Sequence, residues 1–294
     1  MPESFQINSR HVRRQFERAA ARYAEADVLA RVTAEQMLER LEGINHTPAR
    51  ILELGCGQGR DIDALAKRYP DARIHAMDVA HAMVRQIEPT KGLLTRLLRK
   101  TPVIDRLVGT ATALPLKAGS VDMVWSNLML NWLDDPAPAL REAHRIMQVG
   151  GMLMFSTLGP DTLKELRAAL GEAGSAHVHP FIDMHDLGDA LIKAGFADPV
   201  MDMDTLTLTY ADFDGLMADL RLSGSTNASE QRARGLGQRT VWLTARERYE
   251  QARQDGRLPA TFEVVYGHAW KPEPKTIDDG RDIIRFQPYP GRGA

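Results

Sequence analysis

Arg50-Ile51-Leu52-Glu53-Leu54-Gly55-Cys56-Gly57-Gln58-Gly59 is the stretch from which the rest of the chain can be read. A short apolar run reaches an acid and then breaks into glycines at every second position. Ile51, Leu52 and Leu54 predict a buried strand bounded by charge and turn residues. The glycines predict a tight turn whose backbone a ligand can approach closely, because no Cβ stands in the way. From Arg60 to Arg68 the spacing turns helical, with Ile62, Leu65 and Ala66 on one face.

Strand, glycine turn and helix open a nucleotide-binding α/β unit. A dinucleotide-binding turn, G-x-G-x-x-G, offers helix N-terminal amides to a pyrophosphate. Here the third glycine, Gly59, falls one residue early, and Glu53 precedes the turn. A carboxylate there repels a pyrophosphate but suits an ammonium group. The local charge therefore favours S-adenosylmethionine, which carries an α-amino group and a sulfonium. About 20 residues on, the strand Ile74–Asp78 ends in an acid, where this architecture accepts hydrogen bonds from ribose hydroxyls. Both oxygens of Asp78 can serve, one for each hydroxyl. Capping the helix that follows, Ala80 to Gln86, is the other use for such an acid.

The 294 residues are 44% hydrophobic and 26% charged, an ordinary globular composition that permits one large α/β domain or two small ones. With 37 Lys and Arg against 39 Asp and Glu, the net charge is −2, and no global field points to nucleic acid or membrane. The single cysteine, Cys56, excludes an intramolecular disulfide and any multi-cysteine metal site. Its small size accounts for its place in the glycine turn. His177 and His179 form a close pair without a third ligand at metal spacing, so no metal is expected. No apolar leader and no run of about 18 apolar residues appears, which leaves the cytoplasm as the expected address.

Outside the opening unit, residues 9–42 predict two helices, a cap over the ligand or a pair packed on the sheet edge. The first surrounds Val12, Phe16, Ala19, Ala20 and Tyr23 with arginines that read mostly as a solvated face. Residues 90–106 predict a basic amphipathic helix with Arg96, Arg99 and Lys100 on its polar side. Leu107–Gly109 is expected as a third strand and Val121–Ser126 as a fourth, which puts Asn127 at a strand C-terminus, the ligand edge of such sheets. A helix over Pro136–Met147 is expected to end at Gly150-Gly151, before a fifth strand at Met152–Ser156. Beyond it the pattern predicts helices at 161–171, 185–194, 212–222 and 244–254. Strands are expected at 206–209 and 261–270, and a loose tail from Lys271.

These motifs resemble the class I S-adenosylmethionine-dependent methyltransferases. Leu52–Gly59 resembles the superfamily's first motif, Asp78 its ribose acid, and Ala143–Gly151 the helix and turn before its fifth strand. The resemblance implies an α/β fold: a Rossmann-like, mostly parallel sheet with a final antiparallel strand. It also implies an N-terminal helical cap (1–46) on a methyltransferase body (47–270), with helical insertions after strand 5. A narrower resemblance covers residues 10–270 and is to the malonyl-acyl carrier protein O-methyltransferases of biotin synthesis. Val12–Tyr23, Leu114–Leu116, Trp125–Leu128, Asn131-Trp132, Met217–Asn227 and Pro259–Glu263 carry it. The segment Gly224-Ser225-Thr226-Asn227 fits equally a sister family, the mitochondrial complex I assembly factors, which are linked to arginine hydroxylation of a partner subunit. A small-molecule methyltransferase is a third reading, and the long segment beyond strand 5 argues against it.

From the resemblance, Glu53, Gly55, Cys56, Gly57, Gly59, Asp78, Val79 and Met83 are expected around the cofactor. Thr110, Ala111 and Asn127 complete that set. Thr110 stands where the superfamily often has an acid for the adenine amino group. It can accept only without charge assistance, so adenine would lean on the Ala111 amide and on apolar packing. Tyr23 and Asn127 are the expected catalytic residues, and Tyr23, Trp132 and Arg221 the expected substrate contacts. The expected acceptor is malonyl on an acidic acyl carrier protein, or malonyl-coenzyme A, with the basic helix around Arg96, Arg99 and Lys100 steering the carrier.

Overall fold

Arg50–Leu54 (β1), Arg73–Asp78 (β2), Val103–Val108 (β3), Val121–Ser126 (β4), Met147–Leu158 (β5), Ala197–Tyr210 (β6) and Leu258–Trp270 (β7) form one sheet in the order β3-β2-β1-β4-β5-β7-β6. β1 to β5 pair in parallel, and β7 runs antiparallel to both β5 and β6. The molecule is a computed structural model that describes residues 6–88, 103–171, 177–230, 232 and 239–274.

Strand alternation feeds two cores. Ile51, Ile74, Met123 and Trp125 face a core closed by Val28–Arg40 (α2), Ile62–Arg68 (α3), Lys164–Leu170 (α6), Phe213–Leu222 (α8) and Arg239–Tyr249 (α9). Leu52, Leu54, Val124 and Leu153 face the other, covered by Ala137–Ile146 (α5) and Met184–Lys193 (α7). The remaining helices, Ser9–Ala19 (α1) and His81–Val84 (α4), meet at the ligand edge.

Several expectations are corrected. β3 starts at Val103, so Arg106, expected on the basic helix, is a strand residue whose guanidinium donates to Ile87 O (3.3 Å). Arg96, Arg99 and Lys100 lie outside the described residues. α5 stops at Ile146, and Gly150-Gly151 does not end it but sits inside β5, where the pairing with β4 shifts between Val121 and Met123. β6 is 14 residues long rather than four; Pro199 is tolerated because β6 is an edge strand with a bulge between Ala197 and Val200. Lys271 does not begin a loose tail. Its backbone pairs with Gly150 and Gly151, and its ammonium donates to His144 O (2.8 Å) and Met147 O (2.9 Å).

α1 bridges the two ends of the sheet edge. Asn8 caps it through its side chain. Glu17 accepts the amides of His81 (2.8 Å) and Ala82 (3.0 Å), capping α4 from a neighbouring helix. On its other side, Gln15 Nε2 donates to Thr226 O (3.0 Å), and Asn8 N donates to Ala228 O (2.8 Å). Gly224, at φ +72°, lets the Phe16 ring approach; an added Cβ would lie 3.1 Å from it. Gly224→Ala should therefore cost about 1–2 kcal/mol through the left-handed backbone alone. A melting temperature lowered by a few degrees is the expected reading, and an unchanged one would show that this contact takes no part in seating the cap.

Candidate active site

The glycine turn is bolted to β2 before any ligand arrives. Gly55 N and Cys56 N both donate to Met77 O (2.8 and 3.0 Å). Asp78 Oδ2 accepts the amide of Gly57 (3.0 Å), and its Oδ1 accepts that of Ala80 (2.8 Å). Gly55 takes φ +78° under Met129, whose Cβ would be 2.6 Å from an added side chain. Gly57 takes φ +51° with nothing within 4 Å on its side-chain side, so its backbone is open to a ligand.

This turn forms one wall of a cavity of about 460 Å³. Of the residues singled out in the sequence, Gly55, Gly57, Asp78, Val79, Met83, Thr110 and Ala111 line it on the side of the glycine turn. Tyr23, Asn127, Trp132 and Arg221 line the rest. Glu53, Cys56 and Gly59 lie behind the wall. A Cβ on Gly59 would meet Ile62 and Ile87, so its role is packing. Burial pushes the Cys56 thiol well up, and it stays neutral.

Glu53 is 3% exposed, and its Oε2 has no hydrogen-bond partner. Burial first, then Asp61 and Asp78 nearby, push its pKa up. Burial also raises Asp61 and Asp78. Asp27, also buried, is paired with Arg60. Four carboxylates thus gather at this end of the cavity, and Arg60 is paired with one of them. A ligand with a ribose, an ammonium and a sulfonium fits it: Asp78 has lone pairs left for hydroxyls, Gly57 leaves space, and Glu53 adds an uncompensated carboxyl behind the wall.

Sequence reasoning missed a polar strut behind the site. Asp61 Oδ2 accepts Trp125 Nε1 (2.8 Å) and Asn127 Nδ2 (3.3 Å). Asn127 also donates to Ala30 O (2.9 Å) and accepts from Ser156 Oγ (2.8 Å). Its amide is thus engaged by protein on both sides, tying α2 to β5 across the sheet edge. Leu128 follows at φ +51°, a strained conformation held by Ser156, whose Oγ receives its amide (3.0 Å). The partners sit 29 to 97 positions from Asn127, which no local pattern reveals.

The opposite half of the cavity mixes apolar and aromatic side chains with a hydroxyl-rich rim, and Asp219 also lines it. Trp132 meets Phe16 edge-on (5.2 Å between centroids) and His179 likewise (5.7 Å). His179, read in the sequence only as an improbable metal ligand, accepts Ala228 N at Nε2 (2.9 Å), and burial pushes its pKa down to about 4. Tyr23 is pushed up, chiefly by burial and then by Asp27, Asp78 and Asp61. Arg221 is the one Lys or Arg among the described lining residues, beside Ser223, Ser225 and Thr226. Among the described residues no cluster of three His, Cys, Asp or Glu could hold a metal, and no helix is long and apolar enough to cross a membrane.

A family model described as a methyltransferase domain matches residues 52–155. The fold is like that of the YcgJ protein from Bacillus subtilis (TM-score 0.55, 15% identity, 83% of this chain and 100% of that one). It is also like that of a SAM-dependent methyltransferase from Thermotoga maritima (TM-score 0.50, 20% identity, 89% and 100%). Sequence likeness goes further. The malonyl-[acyl-carrier protein] O-methyltransferase of Laribacter hongkongensis is 48% identical over 98% of this chain and 99% of its own length. The protein of the same name from Gallionella capsiferriformans is 46% identical over 96% and 97%. Likeness on that scale runs through the cap, the glycine turn and the C-terminal strands alike, and on it the chain belongs to the malonyl-[acyl-carrier protein] O-methyltransferase family.

Proposed function

We propose that this protein uses S-adenosylmethionine to methylate the free carboxylate of a malonyl group carried on acyl carrier protein, or on coenzyme A. The methyl ester then begins pimeloyl assembly for biotin, and a cytoplasmic address goes with that substrate. The observation that carries the reading is that one guanidinium, Arg221, stands among the described lining residues beside the hydroxyls of Ser223, Ser225 and Thr226, a setting that suits an anionic acceptor. Tyr23 is held protonated, and His179 is held neutral with Nε2 already occupied. A carboxylate acceptor needs no general base, because acids of this kind titrate near pH 4 and arrive ionised. A phenol or amine acceptor, as in small-molecule methylation, would need one. The names of near full-length relatives support the same substrate over the assembly-factor reading.

When bound, S-adenosylmethionine supplies an electrophilic methyl group on a sulfonium. The protein's work is placement. Asp78 takes the ribose hydroxyls, with Val79 and Met83 beside them, while Thr110 and Ala111 receive the adenine. Arg221 takes the acceptor carboxylate in a charge-assisted hydrogen bond, helped by the hydroxyls beside it. Tyr23 donates its hydroxyl hydrogen from the cap, and Trp132 and Phe16 exclude water from the reacting end. Asn127, locked by Asp61 and Ser156, keeps the strand end rigid beneath them. Alignment of this kind supplies about 7–11 kcal/mol of a displacement's barrier.

The direct test is incubation with S-adenosylmethionine and malonyl-carrier, followed by mass spectrometry of the acyl group. A methyl ester is expected; no ester from either malonyl-carrier or malonyl-coenzyme A would refute the reading. Arg221→Ala is expected to raise KM for the acceptor about 10- to 100-fold, the worth of one charged hydrogen bond. Tyr23→Phe is expected to lower kcat by about tenfold, the worth of a neutral one. Unchanged kinetics in both variants would remove these two roles.

The carboxylates set a pH dependence. Glu53, Asp61 and Asp78 have raised pKa values in the free protein, so they take up protons as pH falls. A bound cation favours their ionised forms, so binding releases protons and tightens as pH rises. S-adenosylhomocysteine lacks the sulfonium charge. Calorimetric affinity for S-adenosylmethionine should therefore fall more steeply below neutral pH than that for S-adenosylhomocysteine. Parallel pH slopes for the two ligands would show that these acids do not sense the sulfonium.

A further inference from the structure

α1 has two faces with different business. Val12 and Phe16 point inward and line the cavity, and Gln15 and Ala19 are buried beside them. Its one acid, Glu17, is turned to the flank and occupied with the first amides of α4. The outward face carries Arg10, Arg13, Arg14 and Arg18, all exposed. Among the described residues, none of the four has a hydrogen-bond, ion-pair or ring partner. Several other arginines are matched by acids: Arg22 by Glu25, Arg40 by Asp202, Arg73 by Asp105, Arg145 by Glu142 and Arg253 by Glu250.

Arg10, Arg14 and Arg18 stand at successive i, i+4 positions, so like charges face each other along one ridge. Such pairs destabilise a helix by about 0.2–0.5 kcal/mol each, and no acid among the described residues pairs with them. The net charge of −2 makes the ridge a local positive field on a slightly negative protein, not part of a general excess. Spacing of roughly 5–6 Å between such positions matches acids at the same interval on another helix. Arginine forks grip carboxylates in pairs. A nucleic acid is the other polyanion to consider, but Phe16 and Tyr23 line the cavity rather than offering stacking surfaces on this face.

We propose that the outer face of α1 is the docking surface for the acidic carrier protein that delivers the acceptor. This rests on the function proposed above. The helix forms part of the cavity wall, and it is only about 10–12 Å across. A carrier seated on the arginine ridge therefore stands beside the cavity, with a flexible thioester arm needing to pass only the thickness of the cap. The surface that recognises the carrier and the surface that encloses the acceptor are two sides of one helix.

The test compares malonyl-carrier with malonyl-pantetheine, which has neither protein nor phosphate for the ridge to hold. In Arg10→Glu/Arg14→Glu/Arg18→Glu, KM for malonyl-carrier should rise about tenfold or more with kcat retained, and its dependence on salt should flatten. Turnover of malonyl-pantetheine should not change. The milder Arg10→Gln/Arg14→Gln, checked for an unaltered melting temperature and S-adenosylhomocysteine binding, should show the same selective loss at about threefold. Equal losses on both substrates, no loss on the carrier, or stronger competition by an oligonucleotide than by unloaded carrier would overturn the proposal. If the wild-type protein methylates malonyl-pantetheine while the ridge variants keep full activity on the carrier, the surface assignment falls and the proposed reaction stands. If the wild-type protein methylates neither substrate, the reaction itself fails and the surface assignment with it.

Discussion

One carboxylate holds the working edge of this protein together. Asp78 receives the amide of Gly57 on one oxygen and that of Ala80 on the other, so the turn after β1 and the entry to α4 are fixed to a single point at the end of β2. The conformations at Gly55 and Gly57 lie in the left-handed region that favours glycine, and without this anchor they would be two among many that a glycine loop samples. With it, the turn is already shaped before a cofactor binds. Buried charge is costly, and the raised pKa of Asp78 reflects that cost. The two amides offset part of it.

From that anchor the site divides by charge. One end gathers carboxylates, with Arg60 paired to Asp27, and the other presents Arg221 among hydroxyls, with Asp219 and His179 also in the lining. In the proposed reaction a positively charged donor would take the carboxylate end and an anionic acceptor would meet Arg221. The cap closes the chamber, and its interior face is held by Gln15 on the C-terminal segment and by Glu17 on α4. Each of these bonds joins parts of the chain far apart in sequence. Docking of the cap therefore depends on both halves of the protein having folded.

The parts legible in the sequence are those set by neighbours along the chain. Buried parallel strands read as apolar runs, so β1 and β4 stand out, and the glycine turn and Asp78 follow from local geometry. β6 does not stand out, because an edge strand facing water alternates with acids and tolerates Pro199. The start of β5 is hidden because Gly150-Gly151 looks like a helix stop, while in the sheet it accommodates an irregular register. Within the site, Asp61 and Ser156 escaped notice because their meaning lies in contacts with Trp125 and Asn127 that only the folded sheet creates. Glu53 was legible as an acid beside the turn. That it lies behind the cavity wall was not.

The claim that everything else leans on is that Asp78 organises the cofactor site. Calorimetric titration of Asp78→Asn with S-adenosylhomocysteine tests it most directly. An asparagine keeps the size but loses the charge and one acceptor, so affinity should drop about 10- to 100-fold, the worth of a charged hydrogen bond or two. Affinity equal to that of the unmodified protein, in a variant that melts at the same temperature, would contradict the account.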